Sequence, residues 1–465
     1  MAYAAILTMV LSAGPGQMLC PERQLTFSAQ NHELDNNDNF SPDGQYLCYD
    51  TRETLGPGID NGQTIEMVTV ATGRETVLYK PSASVIGSRP APGIGAASFS
   101  GAENKLAFIH GPLVEELGER GPYGKPNRTG AELAAREDAA PVDGKYPLQW
   151  LDKRDIATDR DTLPGAHRGG THRHEYTRDG KRIGFTYDDL LLPQYGRTIG
   201  YMERNANAPA PASHYFALLA RVAPTGTAKP GELEKAVGDS WVDARGRMRA
   251  FIGTIRNEDG VTCEDSLFVA DIPDTVDIKS ADAGSASRYP APPQGVTIRR
   301  LTHGWACGVV RGAPDGTRIA YYAKDAQGLT QIFIIAADGS DRAEDPAKRP
   351  VQATFLPQGT DSGLRWHPSG NSIFCISDNA IATTCVVPGP RFGESVFLTP
   401  RGDMPKRYAL AVSPDGRTLA YNKQMPTVDK EGKPARNYAG LDFSQIFLMD
   451  YPDQEGDGVS DPPSR

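Results

Sequence analysis

Three of the eight histidines lie within eight residues, in the run Gly165-Ala166-His167-Arg168-Gly169-Gly170-Thr171-His172-Arg173-His174. Neutral imidazole is a common metal ligand, and it titrates close enough to neutrality to act as a general base. His172 and His174 are two residues apart, and on an extended strand that spacing puts both side chains on one face. Two such rings can chelate a divalent metal (Mn, Zn or Ca), with His167 as a third ligand. Arginines accompany them. Arg168 and Arg173 flank the histidines, and Arg311 and Arg365 hold matching places before two later turns. A guanidinium grips a carboxylate bidentately, so several of them suit an acidic sugar. His32, in an Asn- and Asp-rich run, and His303 are further candidates for contact with such a ligand. The chemistry these residue types can support is β-elimination from a uronic acid. His172 or His174 would remove the proton α to the carboxylate. Arg311 or a metal would stabilise the enolate-like charge, and Tyr187 would protonate the leaving oxygen. Each residue also has a structural reading: histidines brace strands, arginines pair with neighbouring carboxylates, and tyrosines pack.

What positions these residues is a repeat. One cassette recurs: a short strand, Ser-Pro-Asp-Gly or a variant, an apolar strand, a polar gap, a second apolar strand, and often Leu-Thr. Pro fixes φ, Asp bonds its own backbone and Gly takes positive φ, so the four-residue signature is a tight turn. Clean copies turn at Ser41-Pro42-Asp43-Gly44, Ala313-Pro314-Asp315-Gly316 and Ser413-Pro414-Asp415-Gly416. The histidine run is the first strand of the third copy, which turns at Thr177-Arg178-Asp179-Gly180. The last copy lacks its closing strand, and the chain begins with an orphan one, Arg23-Gln24-Leu25-Thr26-Phe27. In a ring, that strand completes the last blade. The expectation is an all-β, seven-bladed β-propeller of four-stranded blades, closed by the N-terminal strand and spanning 22–452 as one domain. Six blades, with the loose fourth copy as an insertion, is the alternative. An insert at about 111–150 carries a helix-like piece, Glu132-Leu133-Ala134-Ala135-Arg136, and belongs on one face, where it can wall a site.

Composition narrows the function. The net charge is −9, the pI is about 5.5, and no extended Lys/Arg run exists, which argues against a nucleic-acid partner. The six cysteines are scattered, with no Cys-x-x-Cys pair, so no disulfide framework is expected; Cys48 and Cys375 read as core residues. Residues 2–13 are apolar but too short to span a bilayer, and no other stretch is a transmembrane candidate. Residues 1–21 resemble a signal segment without its basic start, giving a periplasmic or secreted location as the expectation and a cytoplasmic one as the alternative. Residues 453–465 read as a disordered tail. The chain has no Gly-x-Ser-x-Gly elbow, P-loop or dinucleotide fingerprint.

The repeating cassette resembles the TolB-type propeller repeat. A more specific resemblance rests on Arg23-Gln24-Leu25-Thr26-Phe27 with Asn31-His32, Phe108-Ile109-His110-Gly111-Pro112, Gly169-Gly170-Thr171-His172-Arg173-His174, Gly184-Phe185-Thr186-Tyr187-Asp188-Asp189 and Arg299-Arg300-Leu301-Thr302. These runs look like those of the YidR-like bacterial propellers, a resemblance that implies a fold and no established reaction. More distantly, a seven-bladed ring with a histidine-lined channel is similar to the propeller polysaccharide lyases that act on oligogalacturonate or ulvan. That likeness implies a metal-assisted lyase acting on acidic oligosaccharides. The competing reading is a non-catalytic TolB-like propeller that binds a protein or glycan partner. An enzyme should bring His172, His174 and an arginine to one pocket; a binding module should leave the histidines dispersed.

Overall fold

In the computed structural model, residues 16–34, 38–52, 59, 62–81, 93–141, 146–304 and 306–452 are described. The apolar run 2–13 and the tail 453–465 lie outside them, whereas residues 16–21 of the signal-like segment are described. Seven small antiparallel sheets follow one another in chain order as the blades of a propeller. Blade 1 opens with an isolated bridge, Phe40 to Leu47, ahead of the strand Tyr46–Asp50. The inner strands of blades 2 to 7 are Ile94–Phe99, Gly169–Tyr176, Leu233–Trp241, Cys307–Gly312, Ser362–Trp366 and Arg407–Val412. Apolar clusters join each blade to the next and carry round from blade 7 to blade 1, where Leu448 and Ile446 pack with Leu47 and Tyr49. Cys48 and Cys375 are fully buried in two of these layers.

The ring closes through the N-terminal strand. Glu22–Gln24 pairs with Phe447–Met449 as the outermost strand of blade 7. The Glu22 carboxylate accepts hydrogen bonds from Arg407 Nε and Nη2 (2.8 and 2.7 Å) and from the Tyr421 hydroxyl (2.6 Å). Just upstream, Gly16–Gln17 adds in parallel to the outer strand of blade 6.

The inner strands of blades 2 to 7 share a distortion. In each, pairing with the second strand breaks after one residue and resumes three or four residues later: Gly95/Ser98, His172/Glu175, Val237/Ser240, Cys307/Arg311, Ser362/Arg365 and Tyr408/Ala411. The first residue of each break has positive φ: Ala96 (55°), Arg173 (54°), Gly238 (66°), Gly308 (73°), Gly363 (77°) and Ala409 (54°). These are β-bulges, which insert a residue, bend the strand and re-aim the side chains that follow. Glycine adopts this backbone freely, whereas an L side chain loses roughly 1–2 kcal/mol there.

The structure corrects one local expectation. The helix-like piece at 132–136 is part of a strand, Thr129–Ala134, paired with Lys105–His110. Five good helix formers are too few to nucleate a helix alone, and the strand buries Ala131 and Leu133 between blades 1 and 2. The short helix in this insert is Leu117–Arg120.

Candidate functional site

The bulge at Arg173 interrupts strand alternation between His172 and His174, so the two do not act as one same-face pair. His172 is buried between an arginine and an aspartate. Arg128 Nη1 lies 3.0 Å from its Nδ1, and Asp188 Oδ2 lies 2.8 Å from its Nε2. An arginine only donates, so Nδ1 accepts and the ring carries its proton on Nε2, which donates to Asp188. Burial, with Arg128 and Arg197 adding to it, pushes the His172 pKa down to about 3. Arg197 grips the same Asp188 oxygen through Nε and Nη2 (3.0 and 2.5 Å).

His174 belongs to a second network. Its Nε2 is 3.0 Å from Thr171 Oγ1, and that hydroxyl donates to Asp152 Oδ2 at 2.6 Å. The other Asp152 oxygen accepts from the Gly130 amide and stands 3.5 Å from His167 Nε2. Burial lowers the His174 pKa to about 4. The ring sits where a side chain on Gly130 would be, 2.6 Å from an ideal Cβ, so it wedges blade 3 against blade 2. Among the described residues no three His, Cys, Asp or Glu side chains form a metal-binding group.

The remaining members of the expected site divide. Tyr187 is fully buried; its hydroxyl accepts from the Arg168 amide and donates to Asp189 (3.2 and 3.0 Å). Arg168 is equally buried, on Asp189 (2.6 Å) and the Arg288 carbonyl (2.8 Å). His32, a candidate for ligand contact, is fully buried where blade 7 meets blade 1 and lines neither chamber of the channel. Its Nδ1 faces the Ser444 carbonyl at 3.0 Å and its Nε2 faces Glu75 at 3.3 Å. His303 is half-buried and paired with Asp341 at 2.9 Å. Arg173, Arg311 and Arg365 are different: all three line the central channel.

The channel has two chambers. One, of about 330 Å³, opens at the turn face and is ringed by one residue from each of the seven turns: Pro42, Gly101, Arg178, Ala244, Pro314, Pro368 and Pro414. The other, of about 500 Å³, lies among the inner strands of blades 5 to 7 and is reached by Arg173 from blade 3 and Glu33 from blade 1. Arg311 and Arg365 line both chambers, so they stand where the two meet. They occupy the same position of their blades, the residue at which pairing resumes after the bulge. Arg311 is buried; its Nη1 donates to the Val310 carbonyl at 3.0 Å, and its Nε has no hydrogen-bond partner. Burial and the charges of Arg365 and Arg173 drive its pKa well below the usual value. Among the described residues, neither Arg311 nor Arg173 forms an ion pair with a carboxylate.

Sequence reasoning missed two acidic residues of the first chamber. Glu175 matches Arg311 and Arg365 in blade position, but its carboxylate is occupied by Arg249 (3.0 Å) and Ser240 (2.9 Å). Asp38 retains a water-accessible edge, yet the channel walls crowd it. That loss of solvation, with the nearby Glu175, lifts its pKa to about 7 against the pull of Arg311, Arg365 and Arg178. The Asn/Asp-rich run around it was the available signal. Among the described residues no helix is long and apolar enough to cross a membrane.

Residues 93–213 match the family described as "Protein of unknown function (DUF3748)". That span holds both histidine networks. The protein called "Uncharacterized protein YidR" from Escherichia coli (strain K12) is 30% identical over 430 residues, which is 86% of this chain and 94% of that one. The chain belongs to the YidR family. Among solved structures, an oligogalacturonate lyase from Vibrio parahaemolyticus is 11% identical, with 95% of this chain and 99% of that one covered at a TM-score of 0.49. TolB from Acinetobacter baumannii is also 11% identical, with 88% and 80% covered at 0.39. At these identities and scores neither carries an activity over.

Proposed function

We propose that this propeller is a binding protein whose central channel holds an acidic oligosaccharide through its carboxylates. The observation that supports this is the meeting of Arg311, Arg365 and Arg173 in one channel, two of them without a carboxylate partner among the described residues. Like charges gathered in one channel are unfavourable unless anions balance them, the crowded Asp38 beside Arg311 and Arg365 supplies one carboxylate at most, and planar guanidinium forks match the carboxylate oxygens of a ligand. Elimination is the weaker reading. The histidines and the tyrosine that would supply base and acid are engaged in buried networks, and none lines either chamber.

The test is calorimetric titration with short oligogalacturonates, against a neutral oligosaccharide of the same length, on wild type and an Arg311→Met/Arg365→Met variant. Selective binding of the acidic sugar, lost in the variant, with the sugar recovered intact, supports the reading. New ultraviolet absorbance from an unsaturated sugar would replace it with a lyase. No binding of any acidic sugar would remove the channel as its site.

A further inference from the structure

The six bulges supply an internal comparison. The same left-handed position is occupied by glycine in blades 4, 5 and 6 and by alanine in blades 2 and 7. Blade 3 alone places a large side chain there, Arg173, and does so at a backbone angle that disfavours it. Of the other five positions, Gly308, Gly363 and Ala409 line the same chamber as Arg173, and none of these three carries a side chain beyond Cβ. An observed backbone outlier at a cavity wall is the kind of strain that calls for a functional explanation. Arg173 lines the second chamber, and it is only half-buried, so its guanidinium reaches solvent inside the channel. Its charge is felt by both Arg311 and Arg365. No hydrogen bond or ion pair holds it to the described protein, unlike the clamped Arg168 beside it.

We infer that Arg173 is a specificity-determining residue: it supplies a second anion contact beside the Arg311–Arg365 pair, so the channel is built for a ligand with at least two acidic groups. This rests on the channel reading above and deepens it. A monoacid needs only Arg311 and Arg365. An oligomeric uronate presents a further carboxylate to Arg173, and it is this contact that accounts for an arginine where the other blades carry glycine or alanine.

The experiment uses Arg173→Gly and Arg173→Ala, which install the residues the other blades already carry, titrated with galacturonate and with trigalacturonate. The unliganded variants should melt at or above the wild-type temperature, because the backbone strain is relieved or the side chain shortened. Trigalacturonate should bind about 10- to 100-fold more weakly, the loss of one charge-assisted contact, with monomer affinity unchanged within a factor of two. Equal trigalacturonate affinity in wild type and variants overturns the inference and leaves the channel reading standing. A melting temperature several degrees lower overturns it in favour of a structural clamp. If wild type binds neither sugar, the channel reading itself fails, and the inference with it.

Discussion

Replacing His172 by alanine separates a brace from a ligand. The ring spans two charged groups, accepting from Arg128 at Nδ1 and donating to Asp188 at Nε2. Removing it leaves a buried guanidinium nitrogen without its acceptor and an imidazole-sized void between blades 2 and 3. A hydrogen bond to a charged group contributes about 1.5–3 kcal/mol, and stranding a buried charge costs about 3–5 kcal/mol. Asp188 is partly exposed and retains Arg197, so its share is at the low end. The whole change is then about 3–5 kcal/mol. For a chain of 465 residues, an unfolding entropy of about 2.1 cal/mol/K per residue gives roughly 1 kcal/mol per kelvin. The melting temperature should therefore fall by about 3–5 °C. Scanning calorimetry reads this directly, with acidic-sugar titration and elemental analysis of the same preparations alongside. The expected result is a less stable protein whose sugar affinity is within twofold of wild type. An unchanged melting temperature combined with loss of a stoichiometric metal would refute the reasoning, because the ring would then be a ligand and not a brace.

Glu22→Gln should cost a similar 3–5 °C, since Arg407 is fully buried against that carboxylate. Adding Arg407→Met should recover at least half of the loss, and strictly additive effects in the double variant would show that the two residues are uncoupled. Acid should weaken the fold well before carboxylates titrate. Burial lowers the pKa of His110, His174 and His214 to about 4 and of His172 to about 3, below about 6.5 for the unfolded chain. Between those values the unfolded state binds more protons, so stability is full above about pH 6.5 and falls as pH drops towards 4, at up to about 5 kcal/mol per pH unit if all four stay neutral. Asp38, raised to about 7, opposes this with a smaller, single-proton effect. Melting temperatures measured from pH 7.5 to 4.5 check it, and a flat profile down to pH 5 would mean the histidines protonate within the folded protein.

The ring was legible because its signals are local. Ser-Pro-Asp-Gly is a turn whatever surrounds it, and a strand missing at one end of the chain and surplus at the other has one place to go. Thus the closing of the last blade by an N-terminal strand followed from counting, although the paired residues are Glu22–Gln24 and not the whole of 23–27. The matching places of Arg311 and Arg365 were likewise visible as equal offsets from their turns, and equal offsets in equal blades put them at one level of the channel. The histidine partners could not be read this way. Arg128 reaches His172 across 44 residues of sequence, and Asp152 joins His167, Thr171 and Gly130 only because two blades abut. The helix former run at 132–136 failed for the same reason: tertiary pairing, absent from local propensity, decided it.

The bulge explains why the candidate residues are divided between the blade interfaces and the channel. Spacing of two implies a shared face only on an unbroken strand, and one inserted residue cancels that rule. Glycine at Gly238, Gly308 and Gly363 hints at such an insertion, but alanine at Ala96 and Ala409 and arginine at Arg173 conceal it. The insertion gives His172 and His174 separate sets of partners between the blades. Where the ladder resumes, it turns the next side chains, Glu175, Ser240, Arg311 and Arg365, onto the channel wall. One backbone device thus sorts the chemically capable residues of this chain into two classes. Those before the break and just after it hold the blades together. Those at its end, with Arg173 on the bulge itself, line the channel, though Glu175 and Ser240 there are also bonded to each other. Residue type nominated His172, His174, Arg173, Arg311 and Arg365 alike, and only the strand geometry separates them.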